Sequence, residues 1–79
     1  MAATDIDYEL DLRGEVCPYT FVKSKLALED MASGQVLRVI VDYPPAVDNV
    51  PRSLSMQGDQ VLRVYKITDT DWEIIVRKA

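Results

Sequence analysis

Hydrophobic and polar residues alternate from Asp7 to Arg13: Tyr8, Leu10 and Leu12 fall on one side, Asp7, Glu9, Asp11 and Arg13 on the other. A period of two predicts a strand with one buried face, and Gly14 ends it. Beyond Cys17 the period lengthens. Phe21, Ser24, Leu28 and Met31 recur at helical spacing with Ala27 beside them, while Lys23, Glu29 and Asp30 occupy the opposite side. Pro18 suits the first position of that helix, where an N–H is not needed, and Gly34 is a stop beyond its end. Residues 36–41 are apolar except for Arg38 and read as a second strand. Asp42-Tyr43-Pro44-Pro45 punctuates the chain. Val47, Val50 and Leu54 then return to helical spacing, but Pro51 lies inside the pattern and lacks the donor that would bond back to Val47. This predicts a short turn over residues 45–49 and a helix starting near Pro51, closed by Gly58. Residues 60–67 and 72–78 are two further strands, and residues 68–71 are a hairpin loop of ordinary length. Residues 1–6 carry no period and read as a loose end.

The order β-α-β-α-β-β defines the expected architecture. The first β-α-β unit calls for parallel strands and a right-handed crossover, and the last two strands form an antiparallel hairpin. Two amphipathic helices on one face of a four-stranded mixed sheet make a two-layer α/β sandwich. With 79 residues the chain is sized for a single domain, residues 1–79. A domain this small buries roughly 60% of the surface of its unfolded chain. One cysteine and no histidine leave it neither a disulfide nor the ligand set of a structural metal. The expectation is a fold held by packing, with no metal and no cofactor.

Charge narrows the partners. The formal net charge of -4 opposes phosphate backbones and anionic bilayers, so nucleic acid and membrane are not expected as partners. Residues 1–7 have neither the basic nor the apolar region of a secretory signal, and no apolar run approaches the roughly 18 residues of a membrane span. A thiol with no disulfide partner fits a reducing compartment, which points to the cytoplasm.

The candidate chemistry centres on Cys17. It follows the first strand and opens the first helix, where unpaired N–H groups and a partial positive charge favour a thiolate. A thiolate is the form that attacks sulfur electrophiles. Loops leaving the C-terminal ends of parallel strands border a common crevice, so Asp42 and Pro44 should lie near the cysteine loop. Arg13, Lys23 and Lys25 are amines and guanidinium within reach in sequence. A lone cysteine is also commonly a small buried hydrophobe, the two lysines fit a solvated helix face, and Asp42 with its prolines fits ordinary turn chemistry. Residue types and spacing leave these alternatives open.

The segment Leu10-Asp11-Leu12-Arg13-Gly14-Glu15-Val16-Cys17-Pro18-Tyr19-Thr20 resembles the opening motif of the TusA/SirA-like sulfur-carrier family: Leu-Asp, a glycine, then Cys-Pro-x-Pro leading into a helix. The resemblance continues through Leu28, Met31 and Gly34, Asp42-Tyr43-Pro44 with Ala46, Val50-Pro51 and Gly58. It covers residues 8–78. Cys-Pro-Tyr and Asn49-Val50-Pro51 are most similar to the YedF-like branch. Thr20 replaces the second proline of the motif, and Tyr43 stands where aspartate is common.

The resemblance implies the same β-α-β-α-β-β sandwich and a sulfurtransferase role without an organic cofactor. Cys17 would accept a sulfane sulfur as a persulfide from a donor protein, such as a cysteine desulfurase or a rhodanese, and relay it to an acceptor protein. Pro18 would hold the thiol at the helix start, with Arg13, Lys25, Asp42 and Pro44 as supporting or partner-facing residues. With no histidine to serve as a base, proton handling falls to water or to the partner's site. The chain is expected to act as a monomer. Two other readings keep the same fold: a non-catalytic regulatory or protein-interaction module, and a redox or selenium-linked thiol carrier.

Overall fold

A computed structural model describes residues 6–16 and 19–79 of the chain. Its elements run β1 (Tyr8–Asp11), α1 (Tyr19–Glu29), β2 (Val36–Val41), α2 (Pro44–Met56), β3 (Gln60–Lys66) and β4 (Trp72–Arg77). The four strands form one sheet in the order β1-β2-β4-β3. β1 pairs parallel to β2, while β4 lies antiparallel to both β2 and β3. This is the expected mixed sheet with two helices packed on it.

The two central strands explain the thin core. Val39, Val41, Ile74 and Val76 point to the helix layer and are fully buried, and α1 contributes Leu28 while α2 contributes Ala46, Val50 and Leu54. The other face of the sheet carries no helix among the described residues and is closed by charge. Arg38, in the middle of β2, donates to Glu9 on β1 at 2.6 Å and to Glu73 on β4 at 3.0 Å. Glu9 lies directly opposite Arg38 in strand register, while Glu73, opposite Ile40, reaches it on the diagonal. The hairpin between β3 and β4 is closed by Thr68, whose hydroxyl accepts from the N–H groups of Thr70 and Asp71. A register shift between Val61 and Arg63 sets Leu62 as an extra residue in β3, which bends this exposed edge strand.

The second helix departs from expectation. It does not begin near Pro51; it runs without interruption from Pro44 to Met56 with Pro51 inside. Two physical facts account for this. Pro44 and Pro45 open the helix, where their missing N–H groups remove two of the orphan donors of the first turn. Ala46, Val50 and Leu54 then form a stripe at i, i+4 and i+8 that is entirely buried. Burial of three side chains outweighs the one backbone bond that Pro51 cannot make to Val47. At the far end Gly58 takes φ +100°. Its N–H donates to Ser55 O and the Asp59 N–H to Leu54 O, closing the helix with paired C-terminal bonds.

The first strand is also less buried than its alternation predicts. Leu12 is buried and Leu10 half-buried, but Tyr8 stays 50% exposed. β1 is an edge strand, and the C-terminal end of α1 does not close over its start. A cleft of about 270 Å³ remains there between Tyr8, Leu10, Ala27, Met31 and Leu37, with Asp30 at its rim.

Candidate functional site

The site is built from the two loops that leave the C-terminal ends of the parallel strands. After β1 the chain turns at Gly14, whose φ of +88° is in the left-handed region that glycine adopts readily. The Gly14 N–H donates to Asp42 Oδ1 at 2.9 Å. Asp42 lies just past β2, so this single bond clasps the loop entering α1 to the loop entering α2. The two loops are thus neighbours, as the parallel topology requires. Tyr43 and Pro44 follow directly: Tyr43 is the N-terminal cap residue of α2 and packs on the core, and Pro44 is exposed at its first turn.

The expected centre, Cys17, and its neighbour Pro18 lie outside the described residues. What is described is the frame on either side. Val16 is 48% exposed, and its carbonyl accepts the N–H of Tyr19 at 2.8 Å and of Thr20 at 3.4 Å, which starts α1. Glu15 reaches forward to Lys23, with its Oε2 at 2.8 Å from the Lys23 ammonium. That pair spans from the loop to the second turn of the helix. Both groups are partly exposed, so the pair contributes at most about 1 kcal/mol, but it ties the loop to the helix.

The charged residues named from the sequence divide. Asp42 is brought to the loop. Arg13 is committed elsewhere: its guanidinium grips Asp11 through Nε and Nη2, at 3.0 and 2.7 Å, and reaches Asp71 at 3.6 Å. The side-chain and backbone hydrogen bonds from Arg13 hold the Asp11 carboxyl down at about 2, and the Arg13 guanidinium is pushed further up, mainly by its hydrogen bond to Asp11. Lys25 is exposed on α1 and forms no ion pair among the described residues. It sits beside Val22 and Leu26, which are 42% and 54% exposed.

Sequence periodicity missed one feature. Thr20 is fully buried, on the same helix stripe as Ser24 and Leu28. The i, i+4, i+8 spacing carried the signal, but two of the three residues are polar and hide it. On the outer face of α1, Val22 and Leu26, which the sequence sets on the flank of the helix as a small apolar contact patch, remain exposed beside Tyr19 and extend the apolar surface of Val16. α1 is apolar on two sides, and only one of them meets the protein's own core. No helix among the described residues is long and apolar enough to cross a membrane.

Comparison with known proteins follows this architecture. Residues 8–78 match the family described as Sulfurtransferase TusA. A protein of Archaeoglobus fulgidus named "Putative sulfur carrier protein" is 54% identical over 69 residues, covering 87% of this chain and 78% of its relative. The similarly named YedF of Escherichia coli is 36% identical over 60 residues, covering 76% of this chain and 78% of its own. The crystal structure of a SirA-like protein from Desulfitobacterium hafniense superimposes with a TM-score of 0.78 at 25% identity, covering 89% of this chain and 95% of that one. Its fold, like this one, sets two helices on a four-stranded mixed sheet. By a match that runs from β1 to the residue after β4, this chain belongs to the TusA family of sulfurtransferases.

Proposed function

We propose that the protein is a sulfur carrier that holds a sulfane sulfur on Cys17 as a persulfide and relays it between two other proteins. The observation that carries this reading is the family match over residues 8–78, in which the chain's only thiol falls on the loop between β1 and α1. The clasp from Asp42 to Gly14 supports it, because it fixes the frame of that loop three residues before the cysteine.

The chemistry is a pair of thiol exchanges. The Cys17 thiolate attacks the outer sulfur of a donor persulfide. A new sulfur–sulfur bond forms on Cys17, the donor's sulfur–sulfur bond breaks, and the donor cysteine leaves as a thiolate that takes up a proton. In discharge, an acceptor nucleophile attacks the outer sulfur and the Cys17 thiolate is the leaving group. No net oxidant is required, since the sulfane sulfur carries its oxidation state with it. The chain has no histidine, so the protons come from water or from the partner's site. Docking falls to the surface that surrounds the loop: Val16, Tyr19, Val22 and Leu26, flanked by Lys23 and Lys25. The carrier acts as a monomer in the cytoplasm, and its donor is a desulfurase-type or rhodanese-type protein.

Mass spectrometry after incubation with a cysteine desulfurase and cysteine tests this. The wild type should gain the mass of one sulfur atom, reversed by a thiol reductant. Cys17→Ser should fold, because its hydroxyl can cap a helix start, and should gain nothing. An undiminished adduct on the serine variant would exclude Cys17 as the carrier.

A further inference from the structure

We propose, independently of the carrier reading above, that the free edge of β3 is a docking site for an extended, acidic segment of a partner protein, which adds to the sheet as a further strand. β3 stands at one end of the order β1-β2-β4-β3 and pairs only with β4. At seven residues it is the longest strand of the sheet, and Arg63, Val64, Tyr65 and Lys66 are all exposed.

The hairpin sets which backbone groups face outward. The Ile67 N–H donates to Asp71 O at 3.0 Å. In an antiparallel pair, positions that exchange backbone bonds alternate with positions whose N–H and C=O point away from the partner strand. Counted back from Ile67, Tyr65 opposite Glu73 and Arg63 opposite Ile75 bond to β4. Lys66 opposite Trp72 and Val64 opposite Ile74 therefore turn their N–H and C=O to the open edge. No strand among the described residues lies there to receive them. Such a row of donors and acceptors is what strand addition uses for affinity. The register shift at Leu62 bends only the start of β3 and leaves residues 63–66 in regular pairing.

Charge selects the occupant. The chain carries a formal charge of -4, yet this edge is basic. Arg63, Lys66 and Arg77 form no ion pair among the described residues. Arg63 lies over the Tyr65 ring, 4.7 Å from its centroid, and Lys66 over the Trp72 ring at 5.5 Å. The rings hold these cations in place without neutralising them. Nearby acids are engaged elsewhere: Glu73 with Arg38, Asp71 with Arg13, and Asp59 with the Ala79 N–H. In register, Arg63 and Arg77 share the sheet face that carries no helix, while Val64 and Lys66 share the helix side. An incoming strand thus meets guanidinium groups on one face and the half-exposed Val64 on the other. Carboxylates alternating with apolar side chains complement that pattern. Like charge turns away a second copy of the same edge.

Fluorescence anisotropy tests this with a fluorescein-labelled peptide that alternates glutamate with valine, and with a lysine–valine peptide as control. The wild type should bind the acidic peptide and not the basic one, and salt at about 0.5 M should weaken the binding. Val64→Pro removes an outward N–H and leaves the ladder to β4 in place, since an edge strand accepts proline where its nitrogen faces solvent. It should weaken binding by about tenfold while circular dichroism stays native. If that variant does not fold, the double variant Arg63→Glu, Lys66→Glu decides: it should lose the acidic peptide and gain the basic one. Unchanged affinity for the acidic peptide in the folded variants would overturn the proposal, as would no binding by the wild type. A thymidine oligonucleotide is titrated alongside. Tighter binding of the oligonucleotide than of the peptide, indifferent to Val64→Pro, would make the patch a phosphate site and also overturn it.

Discussion

Asp11 and Arg13 show how two adjacent exposed residues set an acid limit. The Asp11 carboxylate accepts the Arg13 backbone N–H at 3.0 Å as well as its guanidinium, and these bonds hold its carboxyl at about 2 against an ordinary 3.8. Because the folded value lies below the unfolded one, the stabilisation is fully present above the unfolded value. It is lost as pH falls from about 4 through about 2. Asp11→Asn should therefore lower the unfolding midpoint at pH 7, and the gap to wild type should close by pH 2. A gap that persists at pH 2 would show that the variant disturbs the turn rather than the charge. At this scale the sequence made the place of Asp42 beside the loop after β1 legible, because loop position follows from strand order. It did not reveal that Arg13 pairs with Asp11 and Asp71, since that depends on side-chain reach and not on any period. Nor did it mark Thr20, a polar residue on a buried stripe.

At the scale of elements, α2 carries the tension. Periodicity named its apolar positions correctly, and the rule against interior proline then cut the helix in the wrong place. Local propensity is a weak prior when a helix buries a continuous stripe. The four strands were legible to within a residue at most ends, because alternation and the glycines at positions 14 and 58 mark them directly. What sequence did not supply was the order β1-β2-β4-β3, which depends on the return of β4 between its neighbours. Pro51 remains a local cost within a favourable global arrangement. Pro51→Ala restores a donor for the Val47 carbonyl and relieves the ring's crowding of it, against an interior-proline cost of about 3 kcal/mol. It also frees the unfolded chain, a loss of about 0.4–1 kcal/mol, and removes contacts of a half-buried ring. The net expectation is a gain of about 1 kcal/mol, seen as a rise of roughly 4–8 °C in the thermal midpoint for a domain of this size. A fall in the midpoint would mean that packing of the ring outweighs the missing bond.

Across the whole molecule, one layer of helices on one sheet gives a disc of 28 × 28 × 18 Å with a charged face and an apolar rim. The uncovered sheet face is closed by Arg38 with Glu9 and Glu73. The outer side of α1 is closed by nothing among the described residues. Tyr19, Val22 and Leu26 lie at i, i+3 and i+7 along one line of the helix, between 42% and 58% exposed, and the line begins at the loop that carries the thiol. The chain is acidic overall, and beside this line stand Lys25, Lys23 paired with Glu15, and the exposed Glu29 beyond Leu26. An apolar stripe matches a partner surface with an apolar centre, and apolar contacts at the centre of such a patch carry most of the affinity. Leu26→Glu places a negative charge in the stripe and should slow sulfur transfer from a donor protein by about tenfold, equivalent to about 1.4 kcal/mol. Because Leu26 is 54% exposed and outside the core, the thermal midpoint should move little. Alkylation of Cys17 by a small reagent should also be unchanged, since the substitution lies two helical turns from the loop. A transfer rate equal to that of wild type would place docking on another face. A loss of alkylation along with transfer would show that the helix start, and not the partner contact, had been disturbed.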